Sequence, residues 1–120
     1  MTTPVWCTGA GRALLWDLDD ASIEALLADV VFVGVGGPRA AHSSAEVLEL
    51  VRRDRAAGHA TAVEEFEQGF CELALPLLDA AEAVVASLSI VTDELSTAAH
   101  PVMMHELEAA RRRIEPLLAG

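Results

Sequence analysis

The chain has 120 residues, of which 52% are hydrophobic and 22% are charged, a composition typical of one globular domain rather than of a disordered chain. Its formal net charge of −11 predicts repulsion from nucleic-acid phosphates and from anionic membranes, so direct binding to either is not expected. No apolar run reaches the roughly 18 residues of a membrane span, and residues 1–12 do not resemble a signal peptide. A cytoplasmic protein with free thiols at Cys7 and Cys71 is therefore predicted.

Two helices are predicted in the first thirty residues. The first begins at Thr8, whose hydroxyl can cap free backbone amides, and continues to Leu15. The second begins near Ala21 with Asp20 as its cap. Its apolar side chains recur at helical spacing and predict one buried face, made by Ile23, Leu26, Leu27 and Val30.

A short strand and a third helix follow. Residues 31–33 predict a short strand or extended segment, which the glycine-rich turn at residues 34–38 ends. Ser43 and Glu46 fit the S-x-x-E capping box, so a helix should begin there and stop at Gly58. The apolar positions predicted for this helix are Val47, Leu48, Val51 and Ala56.

Three consecutive strands are predicted between residues 59 and 92. The first covers about residues 59–66. The second, residues 71–77, alternates apolar and other residues as a half-buried strand does. The third, residues 84–91, places Ser87 and Ser89 on one face, and a loose turn without glycine joins it to the second. Because short loops imply antiparallel pairing, the predicted class is α+β, a small antiparallel sheet with helices packed on it.

A last helix is predicted from about Pro101, a residue that is tolerated in a first turn. Three arginines, residues 111–113, lie late in this helix, where they favour its dipole. One stripe of apolar side chains is expected to face the sheet, formed by Met103, Leu107, Ala110, Ile114 and Leu117.

Several segments, in this order and with these gaps, resemble the effector-binding domain of IclR-family bacterial transcriptional regulators. They are TGAGRALL, RRDRAAGHA, EEFEQGF, LALPLLD and VVASLSI, and the resemblance covers about residues 7–118. It implies that residues 1–120 form a single, partial effector-binding domain with a truncated GAF-like fold. The family's DNA-binding domain, linker helix and first strands have no counterpart here.

The resemblance also implies a function. A domain of this kind binds a small organic or aromatic acid as effector, associates with itself as a dimer or tetramer, and reaches DNA only through the domain that is absent here. A structural module that keeps the fold and the oligomer contacts but has lost the ligand is the alternative. A small enzyme that uses the carboxylates is a third hypothesis.

The family's pocket residues carry over to particular positions. The backbone amides of Gly9 and Ala10 match those that hold the ligand carboxylate, and Ser89 matches the first serine of the family's S-x-S pair, with Val91 in place of the second. A family cysteine that faces the ligand falls at Glu72. The predicted ligand-binding set is Thr8, Gly9, Ala10, Cys71, Glu72, Leu73, Ser89 and Val91. On the residues alone, an ordinary capped helix and a solvated strand face stay open as alternatives.

Other groups of polar residues predict no chemistry. Glu64, Glu65 and Glu67 are interpreted as a solvated loop or edge strand, because nothing basic is spaced to pair with them. A second charged group is interpreted as the solvated face of a helix, namely Arg52, Arg53 and Arg55 with Glu46, Glu49 and Asp54. No zinc-ligand spacing and no G-x-S-x-G motif occurs. We therefore predict no metal site, no cofactor and no catalytic residue.

Overall fold

A three-stranded antiparallel sheet with helices against both of its faces forms the described part of the chain. This is a computed structural model, and it describes residues 5–32, 35–66, 68–93 and 99–118. Its elements are α1 (Gly9–Ala13), α2 (Asp20–Leu26), α3 (Ser44–Ala57), β1 (Ala60–Val63), β2 (Cys71–Leu78), β3 (Val84–Thr92), α4 (Ala99–Ile114) and a 3₁₀ turn at Glu115–Leu117. The predicted α+β class and antiparallel sheet are confirmed.

Strand β2 is the centre of the sheet, in the order β1-β2-β3. Ala60 pairs with Ala74 at one end of the β1–β2 ladder, and β3 pairs with the whole length of β2. The turn between β2 and β3 was predicted to be loose, but hydrogen bonds close it, from the Asp79 amide to the Ala83 carbonyl at 3.0 Å and from the Glu82 amide to the Asp79 carbonyl at 2.9 Å. Glu82 there takes a φ of 63°, and the Asp79 carboxylate accepts from the amides of Ala81 and Ala83 at 2.9 and 3.0 Å.

The alternation of β2 directs its side chains to two covered faces. Leu73 and Leu75 pack against Leu107 of α4, whereas Ala74 packs with Ala13 of α1 on the other face. Every residue of β2 except the last is buried. The prediction of a half-buried strand was therefore wrong, because small residues let α1 approach the second face closely.

The first helices are shorter than predicted. Helix α1 ends at Ala13, and the next amides, of Leu14 and Leu15, donate to carbonyls three residues back. Helix α2 is capped by Asp19 rather than Asp20, since the Asp19 carboxylate accepts from the Ser22 amide at 2.7 Å. Two of its four predicted core residues are fully buried, Ile23 and Leu27, while Leu26 is 55% exposed.

No strand forms at residues 31 and 32. The ring of Phe32 instead packs on Trp6, with centroids 4.8 Å apart, beside the core formed by α2 and α3. Position 33 and the first glycine of the predicted turn lie outside the described residues.

The predicted start and stop of α3 are confirmed. Ser43 accepts from the amide of Glu46 at 3.2 Å, and Gly58 ends the helix with a φ of 84°. The Glu46 carboxylate accepts from the amide of His42, one residue before the position that the capping box predicts. Ala56 is exposed and does not belong to the core.

Helix α4 covers the sheet with fewer residues than predicted. Leu107 is its buried centre, with Met103 and Met104 partly buried around it. Leu117 is 83% exposed, because the helix gives way to a 3₁₀ turn that contains Pro116 before it reaches that position. None of the helices in the described ranges is long and apolar enough to cross a membrane.

Candidate functional site

An open groove of about 570 Å³ lies between α1, the loop that joins β1 to β2, and the start of β2. Its lining residues are Val5, Thr8, Ala10, Gly11, Leu14, Phe66, Phe70 and Glu72. The rings of Phe66 and Phe70 meet edge to face with centroids 5.1 Å apart. A concave apolar surface with a few polar groups is typical of small-molecule sites.

Thr8 and Gly11 shape one wall of this groove. The Thr8 backbone is extended, and its hydroxyl accepts from the Gly11 amide at 3.0 Å, which confirms Thr8 as the cap of α1. A Cβ at position 11 would lie 2.3 Å from the carbonyl oxygen of Val5, so only glycine fits there. The chain before α1 therefore passes directly over the first turn of the helix.

The carboxylate of Glu72 occupies the start of α1. Its Oε1 accepts from the Gly9 amide at 2.6 Å, and the residue is only 4% exposed. A Cβ at position 9 would lie 3.2 Å from Cγ and Oε1 of Glu72, so glycine gives the carboxylate room to approach. The amide that the resemblance assigns to a ligand carboxylate is thus bonded to a carboxylate of the chain itself.

The structure brings half of the predicted ligand-binding set together. Thr8, Ala10 and Glu72 line the groove, and Gly9 is bonded to Glu72. Val91 lies opposite Glu72 on the same face of the sheet, and Ser89 lies opposite Ala74, further along that face.

The remaining two predicted residues point elsewhere. Cys71 and Leu73 alternate with Glu72 along β2, so they face the side of the sheet that α4 covers. Leu73 is fully buried against Leu107. Neither side chain is among the lining of the groove in the described part of the chain.

A buried cluster of charges lies directly behind the groove, and the sequence interpretation missed it. Arg12 is 0% exposed, and its guanidinium bonds three partners on separate elements. They are Asp54 of α3 at 2.9 Å, Glu65 of the β1–β2 loop, and the carbonyl of Thr61 in β1 at 2.5 Å. Arg12 therefore joins α1 to the sheet and to α3.

This cluster corrects the interpretation of the acidic segment. Glu65 is not solvated but 4% exposed, and its basic partner is 53 positions away along the chain. Burial raises the pKa of Glu65, and the charge of Arg12 opposes that rise. Glu64 takes a φ of 55° in the turn beside it, and position 67 lies outside the described residues.

The prediction that the arginines of α3 lie on a solvated face was wrong for Arg55. Arg55 donates to three carbonyls of the segment after α1, those of Leu15, Trp16 and Leu18. Arg53 donates to Asp54, itself almost fully buried. Arg52 and Arg53 fit the prediction, because their side chains are 57% and 51% exposed.

The cysteines and histidines form no larger group. Cys7 is buried, and burial, followed by the charge of Glu65, raises the pKa of its thiol to about 11. His59 and His100 meet with their Nε2 atoms 3.2 Å apart. Across the described ranges, no three histidine, cysteine or acidic side chains converge as metal ligands would.

His59 gives the stability a pH dependence of definite sign. Burial, and next the charge of His100, lower the pKa of His59 below its ordinary 6.5. The unfolded chain therefore binds this proton more readily, so stability is lost as the pH falls through 6.5. We expect a lower urea midpoint at about pH 5.5 than at about pH 7.5, and a smaller difference in His59→Asn. An equal difference in both proteins would contradict this assignment.

A second groove, of about 520 Å³, lies between the β2–β3 turn and the C-terminal residues. It is lined by Leu78, Asp79, Ala80, Glu82, Arg112, Glu115, Pro116 and Leu118. Half of these residues are charged. The others belong to the β2–β3 turn, to the strand end before it or to the end of the described chain. The groove beside α1 is the better candidate, because aromatic rings and buried residues shape it.

The sequence matches a known family profile. Residues 1–115 match the family described as "Bacterial transcriptional regulator IclR C-terminal". Over 91 residues, 74% of this chain, it is 33% identical to the Pca regulon regulatory protein of Pseudomonas putida, and it spans 30% of that protein's length.

Solved structures share the fold. The C-terminal domain of the E. coli transcriptional regulator KdgR superposes with a TM-score of 0.85 at 26% identity, over 94% of this chain and 70% of that one. A double mutant of the inducer-binding domain of the Acinetobacter transcription factor PobR, in complex with 3-hydroxybenzoic acid, superposes with a TM-score of 0.83 at 19% identity, over 96% and 67%. The proteins that match are thus transcriptional regulators, and this chain belongs to the IclR C-terminal family of effector-binding domains.

Proposed function

We propose that the groove beside α1 is the site at which this domain binds the small-molecule effector of a transcriptional regulator. The observation that carries the proposal is the apolar groove itself, whose lining includes the Phe66–Phe70 ring pair and Glu72. Its volume of about 570 Å³ lies in the range of small-molecule sites. Thr8, Gly9, Ala10 and Glu72 are the predicted site residues that this groove supports.

The position of Glu72 bears on the effector's chemical class. The resemblance implies a small organic or aromatic acid, and the PobR domain was solved with 3-hydroxybenzoic acid. An acid would reach the Gly9 amide only after Glu72 had left it, because one carboxylate already accepts that hydrogen bond. Ser89 and Val91 stay predicted contacts of such a ligand on the same face of the sheet.

Binding of a ligand in the groove would affect the rest of the domain through α1. Gly11 lines the groove, and the next residue, Arg12, holds β1, α3 and the β1–β2 loop through its three bonds. A ligand that displaces α1 would therefore disturb contacts on the far side of the helix. In the whole regulator this signal would reach DNA in the cytoplasm through a domain outside these residues.

A structural module without a ligand is the second candidate. It is favoured by the Glu72–Gly9 bond, since a carboxylate from the chain already satisfies the amide at the start of α1. It is also favoured by β3, which pairs with β2 alone in the described sheet and so offers a nine-residue edge for self-association. Dimers or tetramers are expected under both functions.

Filling the groove separates these two functions. Ala10→Phe places a ring in the groove, and we expect it to weaken binding of any effector at least about tenfold, because the ligand and the new side chain compete for one space. Ala25→Phe, on the exposed surface of α2, is the matched control and should bind as the native chain does. The measurement is calorimetry with a panel of small aromatic acids, amides and amines. Binding that Ala10→Phe leaves unchanged would contradict the proposed site.

A further inference from the structure

Glu72 is the one charged side chain among the described residues that line the groove beside α1. The bond to the Gly9 amide uses Oε1, and a carboxylate can accept about four hydrogen bonds in all. Since Glu72 both lines the groove and is held in place by the Gly9 amide, the groove has a negatively charged hydrogen-bond acceptor in a fixed position.

An acid would meet this carboxylate without a compensating cation. The nearest buried cation, Arg12, is fully enclosed and is bonded to Asp54, Glu65 and a backbone carbonyl. Two carboxylates that share a poorly solvated site repel each other, and one of them must then be neutralised. The net charge of −11 adds to this repulsion.

The same features favour a cation. A protonated amine can bond Glu72 as a charge-assisted pair, which is among the stronger hydrogen bonds in proteins. Phe66 and Phe70 line the groove as well, and the faces of aromatic rings attract an ammonium group within about 6 Å. The remaining lining, which includes Val5 and Leu14, suits an apolar body.

We infer that the groove selects a small amine with an aromatic or apolar body, with Glu72 as the counter-ion of its ammonium group, rather than an organic acid. This inference rests on the proposed function, because it names the class of molecule that the same groove takes. Glu72 is therefore a specificity-determining residue, and Gly9 and the start of α1 position its carboxylate.

Three probes of one shape but different charge test this inference, namely benzylamine, benzamide and benzoate. They are titrated into the 120-residue chain while the backbone amide signals of Gly9, Ala10 and Gly11 are followed by NMR. We expect benzylamine to bind at least about tenfold more tightly than benzoate, with benzamide between them. This comparison uses the native chain and depends on no variant.

Titration of the Glu72→Gln variant with the same probes is the second part of the test. Glutamine keeps a side-chain oxygen that can accept from the Gly9 amide, so the start of α1 is retained while the charge is removed. We expect benzylamine to lose about tenfold to a hundredfold in affinity, and benzoate to lose nothing or to gain. The preference for the amine should then disappear.

Each other outcome overturns the inference in a recognisable way. If benzoate or benzamide binds the groove more tightly than benzylamine, or if Glu72→Gln keeps the preference for the amine, the ligand class is wrong and the proposed site stands. If none of the three probes shifts these amides in a saturable manner, both the ligand class and the proposed site are wrong.

Discussion

Replacing Arg12 with methionine is expected to lower the free energy of unfolding by about 3–5 kcal/mol, the cost of breaking a buried ion pair. Arg12 is fully buried, and the change removes the cation that is bonded to the buried carboxylate of Glu65 and leaves the buried carboxylate of Asp54 with Arg53. Methionine keeps most of the side-chain volume, so the loss of stability is caused by removal of the charge and not by a cavity. Urea denaturation at neutral pH measures it.

Arg52→Met is the matched control for this variant. Arg52 also pairs with an aspartate, Asp20, but both side chains are about half exposed, and such pairs contribute about 0–1 kcal/mol. A triple variant that adds Asp54→Asn and Glu65→Gln to Arg12→Met should recover part of the loss, because it removes the charges of the two buried carboxylates. Equal losses for Arg12→Met and Arg52→Met would show that the buried cluster does not hold α1 in place.

Leu107→Ala is expected to lower the free energy of unfolding by about 2–5 kcal/mol, the usual range when leucine is removed from a packed core. Leu107 is the buried residue through which α4 packs on Leu73 and Leu75 of the central strand. Thermal or urea unfolding of the variant and the native chain measures the difference.

The matched control for this second prediction is Leu117→Ala. Leu117 was predicted on the same apolar stripe, but it is 83% exposed in the 3₁₀ turn after α4. Its removal should change the free energy of unfolding by no more than about 0.5 kcal/mol. A larger loss at Leu117 than at Leu107 would mean that α4 packs with a different face.

Local signals explain which parts of the fold could be predicted from the sequence. The caps at Thr8 and Ser43, the glycine stop at Gly58 and the run of three strands all depend on residues close together in the chain. Short-range hydrogen bonds determine such elements, so a pattern of a few residues is enough to identify them.

The missed features depend on contacts between distant residues. Arg12 meets Asp54 across 42 positions and Glu65 across 53, and no short pattern in the sequence relates them. The available signal was the lone arginine in an otherwise small and apolar segment, AGRALL, since a helix face of that kind is usually buried. An arginine there needs acidic partners from other elements.

Glu72 shows the same limit at the candidate site. Its position was predicted to face the ligand, because it stands where the family has a cysteine, and the structure places it in the lining of the groove. That its carboxylate would bond the Gly9 amide depends on a contact across 63 positions. The structure therefore places a carboxylate of the chain itself where the sequence predicted the carboxylate of a ligand. No short pattern in the sequence indicates this contact.

The location of ligand-induced changes tests the central claim, that the groove beside α1 is where this domain binds its effector. Backbone amide shifts are mapped over the whole chain during titration with benzylamine, benzamide and benzoate. We predict saturable shifts that centre on residues 8–11, 70 and 72, which line or border the groove. Shifts that centre instead on residues 78–82 and 112, at the second groove, or no saturable shift at all, would contradict it.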